Sequence, residues 1–102
     1  LPEDLLVAFR ATLEELESAD LLLHVIDISN LRYLSQIDSV ERILGDLKLQ
    51  HIPTMRVLNK MDRVDPDIIP DLTRKLDGMA ISARQKSTLK PLIKRMEAVL
   101  FE

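Results

Sequence analysis

One stretch of nearly unbroken apolar residues limits the folds open to this chain more than any other feature. It runs from Leu21 to Ile28 and is interrupted only by His24 and Asp27. A strand with one exposed face alternates apolar and polar residues, whereas a strand of a parallel sheet is covered on both faces and is apolar throughout. The run therefore predicts a strand of a parallel sheet that has helices on both sides.

The rest of the chain alternates between helical and extended patterns. Strands are predicted over residues 52–58 and 79–82, and Gly78 is typical of the left-handed residue that ends a helix. Apolar spacing and capping residues predict helices over residues 2–18, 33–47, about 70–76, and from Ser87, Thr88 or Lys90 to the C-terminus. This alternation predicts right-handed βαβ crossovers, and hence a three-layer α/β/α fold around a parallel sheet.

The composition fits a single domain over residues 1–102 and argues against several functions. The chain is 46% hydrophobic and 3% aromatic, so its core is expected to be aliphatic. Its 14 basic and 17 acidic residues give a formal net charge of −3, with no basic run that suggests nucleic-acid binding. Cysteine is absent, the two histidines lack metal-site spacing, and no apolar run reaches the roughly 20 residues that cross a bilayer. We expect no metal site, no membrane contact and a cytoplasmic location.

In open parallel sheets, ligands bind at the carboxyl ends of the strands. The second predicted strand runs into Asn-Lys-Met-Asp at residues 59–62, and the third into Ser-Ala-Arg at residues 82–84. The first segment resembles the base-specificity motif of GTP-binding domains of the Ras-like, translation-factor-related class. The second resembles the Ser-Ala-Lys loop of those domains, with Arg84 in place of lysine. Either segment alone also fits an ordinary polar exit from a strand, but the pair favours a nucleotide site.

The resemblance implies that these two loops bind guanine. The Asp62 carboxylate would accept from the N1–H and the exocyclic amino group of the base, a pair of donors that adenine lacks. Asn59 would tie the loop together and meet the N7/O6 side, while Lys60 would lay its aliphatic stem along the base plane. The backbone N–H of Ala83 would contact O6. The implied guanine-binding residues are Asn59, Lys60, Asp62, Ser82, Ala83 and Arg84.

Two further segments narrow the resemblance to one family. Phe-Arg-Ala-Thr-Leu-Glu-Glu at residues 9–15 and Ala-Asp-Leu-Leu-Leu-His-Val-Ile-Asp at residues 19–27 are similar to the HflX family of ribosome-associated GTPases. The resemblance covers essentially all 102 residues. It implies the C-terminal half of a P-loop GTPase G domain, in a protein that hydrolyses GTP and acts on the large ribosomal subunit. Arg-Gln-Lys-Ser at residues 84–87 replaces a glycine-containing loop, which leaves the backbone path there open.

The phosphate-binding parts of a GTPase are missing from these residues. No Gly-x-x-x-x-Gly-Lys-Ser/Thr pattern occurs, and neither Gly45 nor Gly78 lies in such a loop. The resemblance implies that the full-length protein binds Mg²⁺ through ligands outside this chain. We therefore expect residues 1–102 to lack the phosphate loop and switch regions, to bind GTP or GDP weakly or not measurably, and to be inactive alone, with no catalytic residue.

The missing half has a structural consequence as well. In the sheet that the resemblance implies, the run from Leu21 to Ile28 pairs with the phosphate-loop strand. Without that strand the run would be an exposed apolar edge, and exposed edges pair with other chains. We expect the isolated chain to self-associate there.

Other interpretations stay open. The chain could be a non-catalytic α/β interaction domain that keeps the fold without using nucleotide. It could also be a separate three-stranded flavodoxin-like protein, in which case the paired loops would be a coincidence. His24 is expected to be a core residue, and Asp27 either to cap the following helix or to support the site.

Overall fold

Three strands form one parallel sheet in the computed structural model, which describes residues 7, 11, 12 and 14–101. The strands are β1 (Leu22–Asp27), β2 (Thr54–Asn59) and β3 (Gly78–Ala80). Their spatial order follows the sequence, and β2 lies in the middle. Asp27 lies opposite Asn59 at the carboxyl ends of β1 and β2, which places both residues at the edge where ligands are expected. The predicted parallel sheet is confirmed.

Helices connect the strands as the alternation predicts. They are α1 (Tyr33–Asp46), α2 (Ile69–Leu76) and α3 (Leu89–Phe101). Short 3-10 helices precede α2 and α3 and also follow β2, at Met61–Arg63. Of the predicted helix over residues 2–18, residues 7, 11, 12 and 14 are helical and Glu15–Ser18 form a 3-10 helix, while the others lie outside the described residues.

The helices divide between the two faces of the sheet. On one face, α1 and α2 pack Ile37 and Leu76 in a cluster with Ile26 and Leu58. On the other face, α3 packs Leu92 in a cluster with two buried residues from the β2 and β3 segments. Because neighbouring residues of a strand point to opposite faces, the central strand contributes to both clusters, and both of its core residues are almost fully buried. This arrangement confirms the three-layer α/β/α fold. The second cluster contains Val57, Ile81 and Leu92.

Gly78 does not end a helix, and that prediction is wrong by one residue. The left-handed residue after α2 is Asp77, with φ 49° and ψ 53°, and no described glycine has a positive φ. Aspartate tolerates this conformation better than most residues. Gly78 instead opens β3, where a Cβ atom would lie 3.0 Å from the Arg56 carbonyl oxygen and 3.1 Å from Leu58 Cγ. The glycine therefore allows the close approach of β3 to β2.

β1 is covered on one face more than on the other. Within the described residues β2 is its one sheet neighbour, and Leu23 and Val25 are 39% and 58% exposed. Both side chains point to the side of the sheet that carries α3, away from the buried residues Leu22 and Ile26. An apolar pattern typical of a strand covered on both faces thus belongs to a strand at the edge of this sheet. None of the described helices is long and apolar enough to span a membrane.

Candidate functional site at the carboxyl edge of the sheet

The two polar loops predicted to form a site lie side by side. Beyond the strand ends, Ile81 N–H donates to the Leu58 carbonyl at 2.8 Å and Met61 N–H donates to the Ile81 carbonyl at 3.0 Å. These bonds continue the pairing of β2 with β3 into the loops. The Asn59 side chain then links them, because its Oδ1 accepts from the N–H of Lys60 at 2.8 Å and from the N–H of Ala83 at 3.2 Å.

One cavity of about 200 Å³ collects the predicted site residues. All six residues assigned from the sequence line it, and Arg63 joins them. Arg63 reaches this position because Lys60 adopts a left-handed backbone, with φ 67° and ψ 35°, and the chain then turns through the 3-10 helix Met61–Arg63. No sequence pattern marks a lysine for that conformation, so Arg63 could not be predicted as a residue of the cavity.

A larger cavity, of about 520 Å³, lies toward the amino ends of β1 and β2. It is a gap beneath α1 and α2 in which Arg56 donates to the Leu76 carbonyl and pairs with the Glu41 carboxylate. Arg56 and Glu41 are thus already paired with each other, and the cavity lies away from the strand ends where ligands bind in such sheets. The smaller cavity is the better candidate for a site.

Ser82 is held rigidly at the back of the smaller cavity. Its backbone N–H donates to the Thr88 hydroxyl oxygen at 2.9 Å, and that hydroxyl lies 3.0 Å and 2.7 Å from the carbonyl oxygens of Ser82 and Gln85. Thr88, predicted as a possible cap of α3, thus holds the Ser82 loop. The Ser82 side chain is fully buried, and its Oγ has no hydrogen-bond partner among the described residues. Such a group costs about 1–3 kcal/mol, which a ligand that bonded to it would recover.

Lys60 is tied to the end of β1. Its Nζ lies 2.9 Å from Asp27 Oδ2, while Asp27 Oδ1 accepts from the backbone N–H of Ser29 at 3.0 Å and from its hydroxyl at 2.6 Å. The hydrogen bond from the Ser29 hydroxyl, followed by that from Lys60, lowers the pKa of Asp27 to about 2. The carboxylate therefore stays charged well below neutral pH.

Asp62, Ala83 and Arg84 lie at the exposed mouth of the cavity. The Asp62 carboxylate has no hydrogen-bond or ion-pair partner within residues 14–101, so both of its oxygens are free to accept. The cavity thus presents the two oxygens of a carboxylate, a backbone N–H and cationic side chains, and the buried Ser82 hydroxyl lies behind them. In the described part of the chain, no group of three or more His, Cys, Asp or Glu side chains is placed to hold a metal ion.

Comparison with known proteins gives a consistent result. GTPase HflX of Magnetococcus marinus is 40% identical over 99 residues, which is 94% of this chain and 22% of the relative. GTPase HflX of Caldanaerobacter subterraneus is 40% identical over 102 residues, covering 100% of this chain and 23% of the relative. GTPase HflX of Escherichia coli is 36% identical over 99 residues, 94% of this chain and 23% of the relative. The chain thus spans less than a quarter of the length of these relatives. No protein-family profile matches it.

Proposed function

The chain belongs to the HflX family, and we propose that its residues form the guanine-reading part of a GTP-binding domain. The observation that supports this most directly is the cavity at the carboxyl edge of the sheet. It brings together residues from two loops that are about twenty residues apart, and they include the six that the motif resemblance assigns to guanine.

The chemistry of the cavity suits the edge of a guanine base. The unpaired Asp62 carboxylate would accept from N1–H and from the exocyclic amino group, in two charge-assisted hydrogen bonds. The Ala83 N–H would donate to O6, which requires its long bond to Asn59 to be shared or exchanged. The buried Ser82 hydroxyl would gain a partner, either on the base or on a carboxylate that the base orders. A site built on such bonds rejects a base that leaves its polar groups unpaired.

The relatives are more than four times as long as this chain, so the activity of a whole protein of this family is also a proposal here. We propose that residues 1–102 form a single domain that is the C-terminal portion of a GTPase G domain, and that a protein containing it binds GTP or GDP and hydrolyses GTP. When bound, Mg²⁺ would neutralise phosphate charge, held by residues outside this chain. Action on the large ribosomal subunit and a cytoplasmic location rest on the family resemblance. The chain alone would bind guanine through the base only, and would be inactive.

The test is base selectivity of the 102-residue chain. Guanosine, xanthosine and adenosine are titrated into the ¹⁵N-labelled chain, and binding is followed by NMR, which detects weak complexes. The parent chain should bind guanosine best, with shifts at residues 59–63 and 82–84. The Asp62→Asn variant should no longer bind guanosine and should prefer xanthosine, because the amide can donate to the second carbonyl of xanthine. Asp67→Asn, an exposed acid seven residues after Lys60 in the connection to α2, is the control and should bind as the parent does.

Two results would contradict the proposal. Equal shifts with guanosine and adenosine would mean that the cavity does not read the base. An Asp62→Asn variant with the selectivity of the parent would mean that the carboxylate does not take part in recognising the base. Either result would favour an α/β interaction domain that does not use nucleotide.

A further inference from the structure

We propose that Asp27 is a positioning residue of the base site, and that it acts through Lys60. By holding the Lys60 ammonium at the end of β1, it would fix the aliphatic stem of this lysine beside the cavity before a base arrives. The inference rests on the proposed guanine site. It adds a residue that lies outside both loops and that does not itself line the cavity.

The strand register gives Asp27 access to Lys60. Asp27 is opposite Asn59, and the Ile28 N–H donates to the Asn59 carbonyl at 3.3 Å, so the ends of β1 and β2 stay together. Lys60 follows directly, and its left-handed backbone starts the turn around the cavity. The Nζ–Oδ2 distance of 2.9 Å then closes a link between residues that are 33 positions apart.

This ion pair restricts the conformational freedom of the Lys60 side chain before a base binds. A lysine side chain has four rotatable bonds, and a base that binds against a free stem must order them during binding. The ion pair orders the stem before the base binds. Its two side chains remain 40% and 34% exposed. Exposed pairs of this kind contribute modestly, so we expect a modest gain in affinity and no effect on which base is chosen.

Asp27 also shapes the local turn, and each of its two carboxylate oxygens serves one of its two roles. Oδ1 accepts both hydrogen bonds from Ser29 and shapes the turn toward α1, whereas Oδ2 faces Lys60. Asp27→Asn can keep the acceptor that Ser29 uses, but its amide nitrogen cannot accept from an ammonium. The substitution therefore removes the link to Lys60 and leaves the turn.

The experiment is a double-mutant cycle on guanosine affinity. The parent, Asp27→Asn, Lys60→Met and the double variant are titrated by the same NMR assay. Asp27→Asn should weaken guanosine about two- to five-fold, as expected for loss of an exposed ion pair. In the Lys60→Met background, which keeps an aliphatic stem without the charge, Asp27→Asn should have no further effect. Asp27→Glu, which keeps the charge, should recover part of the affinity.

A matched control is available on α1. Asp38 pairs with Arg42 at 3.1 Å, with both side chains more than half exposed, and Asp38→Asn should leave guanosine affinity unchanged. If Asp27→Asn weakens binding equally in both backgrounds, Asp27 acts through the turn and the inference is wrong. If it has no effect while Asp62→Asn abolishes guanosine binding, the inference fails and the proposed function stands. If the parent does not select guanosine, both fail together.

Discussion

The side-chain oxygen of Asn59 accepts a hydrogen bond from the backbone N–H of Ala83 at 3.2 Å, across 24 positions of sequence. The same oxygen accepts from Lys60 N–H at 2.8 Å, so one amide group fixes its own loop and the neighbouring one. The two loops are therefore one structural unit, and the spacing between Asp62 and Ala83 depends on Asn59.

Asn59→Ala should disrupt both the fold and the site. It leaves two N–H groups without their acceptor, and we expect the free energy of unfolding to fall by about 1–2 kcal/mol. Guanosine binding should be lost, since the loops can then move apart. Urea denaturation and the nucleoside titration measure the two effects. Asn30→Ala is the control, because Asn30 makes a local bond to Arg32 N–H at 2.9 Å, and it should leave nucleoside binding intact. Retained guanosine binding in Asn59→Ala would show that the loops do not need this link.

Ser82→Ala should separate stability from binding. The Ser82 hydroxyl is buried without a partner among the described residues, so its removal should leave the stability of the free chain unchanged or raise it by up to about 1 kcal/mol. Guanosine affinity should fall several-fold if the bound base supplies or orders a partner. Thermal unfolding and the NMR titration are run on the same samples. A variant that is clearly less stable but binds normally would mean that the hydroxyl serves the fold.

Local features of this fold could be predicted from sequence, and features made by distant contacts could not. The apolar runs and polar breaks that mark β1, β2 and their ends are short-range signals, and the six residues taken from the two loops line one cavity. The Lys60–Asp27 ion pair joins positions 33 residues apart, and it depends on strand register, which composition and spacing do not encode. A glycine near a helix end fits both a left-handed turn and a close strand approach, so the pattern points to Gly78 although Asp77 adopts the left-handed conformation.

Gly78→Ala should destabilise the chain even though the backbone of Gly78 is not left-handed. The new methyl group would lie 3.0 Å from the Arg56 carbonyl oxygen and 3.1–3.2 Å from the Leu58 side chain, which is fully buried. Such overpacking typically costs about 1–3 kcal/mol. Gly45→Ala is the matched control: its methyl group would meet the flexible end of Gln50 at 3.1 Å, and alanine favours the helix by up to about 1 kcal/mol. Thermal unfolding should therefore move in opposite directions, and a shift of the same sign in both would contradict the strand-contact argument.

His24 should make the stability of the chain sensitive to mild acid. Burial, and then the nearby Arg56 guanidinium, lower the pKa of His24 below its usual 6.5, although Glu41 opposes them. As the pH falls, His24 therefore binds a proton at a higher pH in the unfolded chain than in the folded chain. The free energy of unfolding is highest above pH 6.5 and decreases as the pH falls below that value. Urea denaturation between about pH 8 and pH 5.5 should show this loss, and His24→Gln should reduce it. His51→Gln, at the exposed second histidine, should retain the dependence of the parent. If His24→Gln has the same pH profile as the parent, a group other than His24 causes the loss of stability in mild acid.

Val25→Lys should prevent self-association of the isolated chain through β1. Val25 is 58% exposed, and beside it lie Leu23 and an apolar groove of about 340 Å³ that includes Leu16. A long apolar edge strand presents unpaired backbone groups to a second copy, and a lysine on such an edge opposes pairing. Sedimentation should show the parent associating as its concentration rises and the variant remaining a monomer. Leu31→Lys is the control: Leu31 is 99% exposed but lies beyond the end of β1, so charge added there should leave association unchanged. A parent chain that stays monomeric at high concentration would mean that this edge does not pair with a second copy.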